Sequence, residues 1–263
     1  RSCRAPVPDL TILSTLAADP ALYAFLAVIA LAGVVRGFSG FGAGMIIAPT
    51  GAALYSPQIA IIALFVLDFG PSNIMVPGAW PKVNWREVLP VALGYVLALP
   101  AGLYFLKFGD PVVLRWCISA TILVVVAVLW SGWIYRGPRT PPVSVLVGSL
   151  GGFLGGAVGI GGPPAVIYWM AARTGAGNVR ANLVVLFAIT QLTVLAGLVV
   201  ADLFTWRATV IGLAGIPVYL AGLLIGMRLF GRASEQVYRR VALVLVLAAA
   251  LMTTPALDGL LAR

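Results

Sequence analysis

The stretch Arg36-Gly37-Phe38-Ser39-Gly40-Phe41-Gly42-Ala43-Gly44, running on to Pro49, decides how this chain folds, together with its echo Gly155-Gly156-Ala157-Val158-Gly159-Ile160-Gly161-Gly162-Pro163-Pro164. Both lie inside long apolar runs. Glycine costs about 1 kcal/mol against alanine in a helix interior and proline about 3. Four glycines in the eight residues 37–44 therefore predict a broken helix. In hydrocarbon such a break leaves N–H and C=O groups unpaired, which is tolerated only where it is buried in protein or faces a wet cavity. Two breaks in corresponding places point to the binding site of a transporter.

The composition places these breaks in a membrane. Of 263 residues, 61% are hydrophobic and 10% charged, and the mean hydropathy of +1.05 is too high for a soluble domain. The chain reads as an all-α polytopic membrane protein embedded in a lipid bilayer. It has no histidine, and its two cysteines, Cys3 and Cys117, form no CxxC pair. Zinc, haem and a disulfide framework are accordingly not expected, and the pattern calls for no cofactor and no metal. The 17 basic residues against 8 acidic ones are scattered between apolar runs. That distribution predicts no nucleic-acid partner and suits charges bordering membrane spans.

Residues 1–20 are mildly apolar, contain three prolines and lack the pattern of a signal peptide, so they read as an N-terminal tail. The uncharged run 21–35 covers only about 22 Å of a core about 30 Å thick. Either this element continues through Arg36 and the glycines, or it stops and a second begins near Gly44. Further runs follow at 58–79, 88–106 and 111–134, then 143–158, 163–172, 182–201, 208–230 and 237–252. The loop from Trp80 to Arg86 is a membrane-edge turn, with tryptophans at headgroup depth and basic residues outside. The expected organisation is a first transmembrane repeat at 21–135, a proline-bearing linker at 136–142, a second repeat at 143–253 and a C-terminal tail at 254–263.

The two halves repeat each other. Gly40-Phe41-Gly42 matches Gly159-Ile160-Gly161, Trp85-Arg86 matches Trp206-Arg207, Ala101-Gly102-Leu103 matches Ala221-Gly222-Leu223, and Leu114-Arg115 matches Tyr238-Arg239, at offsets drifting only from 119 to 124 residues. If each break lies within a single crossing, the halves form 4+4 segments with eight crossings and no charge bias. If each break separates two elements, there are 5+5 segments and the halves are inverted. Arg36, Lys82, Arg86, Arg136, Arg139, Arg173, Arg180, Arg228, Arg232, Arg239 and Arg240 then share one side, leaving Arg1, Arg4, Lys107, Arg115, Arg207 and Arg263 for the other. The bias of positive charge toward the cytoplasm favours this inverted 5+5 version, with both termini outside.

Helices opening at Gly44 and at Pro163-Pro164 would aim free N–H groups and positive dipole ends at mid-membrane, a ready site for a small anion. Gly40, Gly42, Gly44, Gly159, Gly161 and Gly162 are its expected backbone. Arg36 either supplies a planar fork to that anion or ends a short helix and reaches the headgroups. Ser39 either donates to the ligand or caps the local backbone. Asp68 is the candidate for a coupling proton, or else pairs with an arginine as structural glue. Asn73 lies near it. On the corresponding element, Asn182 and Gln191 are nine residues apart and occupy opposite faces, so at most one faces a central site. Thr190 lies nearer the Asn182 face, and Asn182 and Thr190 are taken as the candidates.

The paired glycine motifs, with Val83-Asn84-Trp85-Arg86 and the duplication, resemble the TauE/SafE sulfite-exporter family of membrane permeases over residues 26–252. The resemblance implies a secondary transporter in the bacterial inner membrane, multi-pass, moving sulfite, sulfoacetate or a related organosulfonate by alternating access, with protons as a candidate coupling ion. An anion channel, or a permease for a small carboxylate, is the alternative. An enzyme is not expected, because the chain offers one clearly internal carboxylate and no histidine as acid or base.

Overall fold

The computed structural model describes residues 15–16, 18–133, 135, 137–170 and 175–230, and among them every regular element is helical. The expected run at 237–252, the C-terminal tail, most of the N-terminal tail, and Arg136, Arg173, Arg232, Arg239 and Arg240 lie outside the described residues.

Helix α1 (Pro20–Ser39) starts where the Asp19 carboxylate accepts the Ala21 N–H at 2.9 Å, with proline in its first turn. It runs on through Arg36 for 20 residues, about 30 Å, and stops at Gly40, whose φ of 80° is left-handed and whose N–H returns to the Arg36 carbonyl at 2.8 Å. Helix α2 (Ala43–Leu54) begins after Gly42 and brings the chain back, so that the Tyr55 ring meets Phe25 edge-on at 5.9 Å. The first break is therefore a reversal of direction. The second repeats it: α6 (Pro141–Val158) ends at Gly159 with φ 73°, and α7 (Pro163–Met170) returns until the Tyr168 hydroxyl reaches Ser144 Oγ at 2.8 Å.

Between these hairpins lie α3 (Pro57–Phe69), α4 (Trp85–Phe108) and α5 (Pro111–Trp130). Asp110 caps α5 by accepting the Val112 and Val113 N–H groups at 2.8 and 3.2 Å. Where the sequence suggests one run at 58–79, the helix tightens at Gly70 into a 3₁₀ turn (Pro71–Met75), a further α turn (Val76–Ala79) and a second 3₁₀ turn (Trp80–Lys82). Pro71 and Pro77 lack the N–H a regular helix needs, and the chain changes its hydrogen-bond step there. After α7 come α8 (Ala176–Val200), which starts six residues before the expected run at 182, and α9 (Trp206–Leu229), capped by Thr205. Among the described residues, seven helical spans are long and apolar enough to cross a membrane. Helices α2 and α7, of 12 and 8 residues, are shorter.

Two parallel helix pairs hold the bundle together, each joining the start of one half to the fourth helix of the other. Along α1 and α9, a Cβ placed on Gly33 or Gly37 would strike the carbonyls of Tyr219 or Leu223, and one on Gly222 or Gly226 would strike those of Ala30 or Val34. Along α4 and α6, Gly94 faces the Val145 carbonyl, Gly102 faces Phe153, and Gly148 and Gly152 face Val91 and Tyr95. Small residues on both partners bring backbone against backbone, which is how helices associate where lipid removes any hydrophobic drive between them. Leu93, Leu97, Val124 and Leu192 remain exposed on the outside, as an apolar solvent permits. Trp80 and Trp85 meet edge-on at 4.8 Å, and in the first turn of α4 Glu87 pairs with Arg139 at 3.6 Å. Arg36, grouped with the edge charges in the sequence reading, is instead 4% exposed.

Candidate functional site

The two hairpins meet tip to tip. A Cβ on Gly44, in the first turn of α2, would run into the Gly159 carbonyl oxygen, and one on Gly162 would lie 3.7 Å from Phe41 Cβ. The glycines that break the helices thus also let the broken ends touch. Arg180 of α8 braces the first tip: its Nε and Nη2 donate to the carbonyls of Phe38 and Gly37 at 2.9 and 2.5 Å, a cation placed on the negative end of α1.

Beside the tips opens a pocket with about 550 Å³ of empty space, part of it open to solvent. Its walls are Gly42, Ala43 and Gly44 at the start of α2, Gly159 to Pro163 at the start of α7, Arg36, Asp68 and Tyr95, and Phe187, Thr190 and Gln191 from α8. Gly42 caps α2 without a side-chain acceptor and its carbonyl takes the Met45 N–H at 3.1 Å, which leaves the Ala43 and Gly44 N–H groups at the helix start without an intrahelical partner. Pro163 and Pro164 bring no N–H of their own to the facing helix start.

Arg36 and Asp68 form the polar centre. The Arg36 guanidinium donates to the Gly40 carbonyl at 2.7 Å, to Ser72 Oγ at 3.2 Å and to Asp68 Oδ2 at 3.4 Å, and lies over the Phe187 ring at 4.5 Å. Three of its five N–H donors are so engaged, which leaves two for a ligand. Asp68 collects donors from four elements: Arg36, Gln191 Nε2 at 2.9 Å, and the hydroxyls of Ser72 and Tyr219. All four of its lone-pair positions are filled, the arrangement of an ionised carboxylate.

Of the residues singled out in the sequence, Arg36, Gly42, Gly44, Asp68, Gly159, Gly161, Gly162 and Thr190 line the pocket. Gly40 is the acceptor that aims Arg36. Ser39 Oγ lies 2.7 Å from the carbonyls of both Val35 and Phe41, donates its single O–H to one of them and accepts from the Phe41 N–H, so it caps the turn. Asn73 stands one layer back, bonded to the Phe69 carbonyl and to Gln191 Oε1 at 3.5 Å. Asn182 lies outside the pocket, its amide oxygen accepting the Asn84 N–H at 2.8 Å at the start of α4. The opposite face of α8 looks inward, and it carries Gln191. Tyr95, Ser72 and Tyr219 also gave no signal in the sequence, because a lone hydroxyl in an apolar run does not say which way it faces. Among the described residues no group of His, Cys, Asp and Glu is large enough to hold a metal ion.

The family model for sulfite exporter TauE/SafE matches residues 25–253. A probable sulfite/organosulfonate exporter TauE of Cupriavidus necator is 26% identical over 241 residues, covering 84% of this chain and 89% of its own length. No solved structure matches the chain.

Proposed function

The chain belongs to the sulfite exporter TauE/SafE family and is a multi-pass membrane protein of the bacterial inner membrane, and from that premise we propose that it is a secondary transporter of a small sulfur-containing anion, working by alternating access. The observation that carries this reading is the meeting of both helix breaks at one pocket that also holds a buried arginine with N–H donors to spare. Sulfite, sulfoacetate or a related organosulfonate would sit against Arg36 and the first N–H groups of α2, with Gly161, Gly162 and Thr190 across from them. Asp68, tied to Arg36 and through Tyr219 to the second half, is the proposed site for a coupling proton. Its hydroxyl neighbours can turn from donor to acceptor when the carboxyl is protonated, without leaving it.

The reversal of the chain at each break supports the 5+5 count, and the crosswise pairing of α1 with α9 and of α4 with α6 supports two inverted halves around the pocket. Repeats at 21–135 and 143–253, joined by 136–142, are the bodies we propose to rock against each other.

A thermal-shift screen of detergent-purified protein tests the reading, with sulfite, sulfoacetate, isethionate, taurine and matching carboxylates. A ligand at a hundred times its Kd adds about 2.7 kcal/mol of stability. A sulfur oxyanion that stabilises the wild type, and not Arg36→Lys, is expected. A flat response to every anion would remove the proposal.

A further inference from the structure

Tyr95 does something the structural roles of its neighbours do not account for. It is 3% exposed, yet it lines the pocket, and among the described residues its hydroxyl has no hydrogen-bond partner. The hydroxyl oxygen is not fully enclosed: it opens on the pocket, where water or a ligand completes it. The fold makes room for this phenol at some expense in helix propensity. A Cβ on Gly155 would collide with the Tyr95 hydroxyl, and one on Gly161 would lie 2.6 Å from it, so glycines of the second break form the slot in which the ring lies. Apart from Arg36, the other polar side chains at the wall are occupied: Thr190 donates to the Phe187 carbonyl at 3.3 Å and Gln191 to Asp68.

Resting on the anion-transport reading above, we infer that Tyr95 is the residue that distinguishes a sulfonate or sulfite headgroup from a carboxylate. The Arg36 fork presents coplanar N–H groups and satisfies two oxygens of an anion, all that a carboxylate has. A pyramidal –SO3 group has a third oxygen outside that plane. Arg36 comes from α1 and Tyr95 from α4, and both line the one pocket, so both groups address the same small space. The phenolic O–H donates to the third oxygen. With a carboxylate in the fork it has no oxygen to meet and stays unpaired, which penalises the wrong cargo, as sites built to hydrogen-bond a substrate group do.

The test measures the affinity of the full chain in detergent for matched pairs that differ only in headgroup: methanesulfonate and acetate, isethionate and glycolate. In the wild type the sulfonate of each pair binds more tightly. Tyr95→Phe weakens the sulfonate about tenfold, the loss of one hydrogen bond to a charged group, and leaves the carboxylate within about twofold. Equal weakening of both headgroups, or an unchanged ratio in Tyr95→Phe, overturns the assignment while leaving the anion site in place. Failure of the wild type to bind any of the four, or sulfite, overturns the assignment and the transport reading together.

Discussion

At the scale of the residue, one buried ion pair organises the site. Removing Arg36 outright would strand the Asp68 carboxylate, whose side chain is 15% exposed, and breaking a buried pair costs about 3–5 kcal/mol. Arg36→Ala therefore tests stability more than binding. Arg36→Lys keeps the charge and loses the fork; anion affinity is expected to fall about tenfold or more with a much smaller loss of thermal stability, measured by titration calorimetry and by melting in detergent. Arg36 and Asp68 were legible in the sequence because a charge inside an apolar run has few innocent explanations. Gln191 was not, although its phase relative to Asn182 was: nine residues place the two on opposite faces, and nothing in the spacing says which face looks inward. Packing decides it, since α8 spends Asn182 on the start of α4 and turns Gln191 to Asp68.

At the scale of the element, glycine has two separate duties that the sequence does not tell apart. At Gly40 and Gly159 it supplies a left-handed turn that ends a helix. An alanine at Gly159 would pay about 1–2 kcal/mol in backbone strain while meeting only side chains, the nearest at 3.3 Å. Gly159→Ala is expected to insert and fold, to melt a few degrees lower, and to transport more slowly, as measured by uptake into proteoliposomes. In α4 and α6 the duty is close approach. Gly148→Leu would force the helix off the Val91 carbonyl, and the expected outcome is a loss of folded protein at the level of size-exclusion chromatography, whatever the substrate. The breaks themselves were legible from composition. Their reversal of direction was not, because a glycine-rich interruption can bend a helix or turn it back, and only the contacts of Tyr55 with Phe25 and of Tyr168 with Ser144 tell which. The 3₁₀ interruption after Gly70 escaped a hydropathy reading because the polar Pro71-Ser72-Asn73 is short, uncharged and flanked by apolar residues on both sides, so the run as a whole stays apolar.

At the scale of the whole molecule, the inverted 5+5 arrangement makes a prediction about sides. Lys82 and Asp110 lie at opposite ends of the membrane spans they border, with α4 between them. In a Cys117→Ala, Cys3→Ala background, a cysteine at Lys82 is expected to react with an impermeant maleimide only from the cytoplasmic face, and one at Asp110 only from outside. The same side for both would break the proposed topology. The pairing of α1 with α9 and of α4 with α6 also puts the proposed anion pocket where the halves share it, so the proposed rocking of one against the other would carry Asp68, held by Arg36 from the first half and by Gln191 and Tyr219 from the second. Counterflow is the measurement that bears most directly on this account. Proteoliposomes loaded with unlabelled sulfite or isethionate are diluted into a trace of the labelled anion. The account predicts a transient, saturable accumulation of label inside, sharply reduced in Arg36→Lys. A flux that rises linearly with concentration and shows no overshoot, with sulfur anions and carboxylates alike, would contradict it.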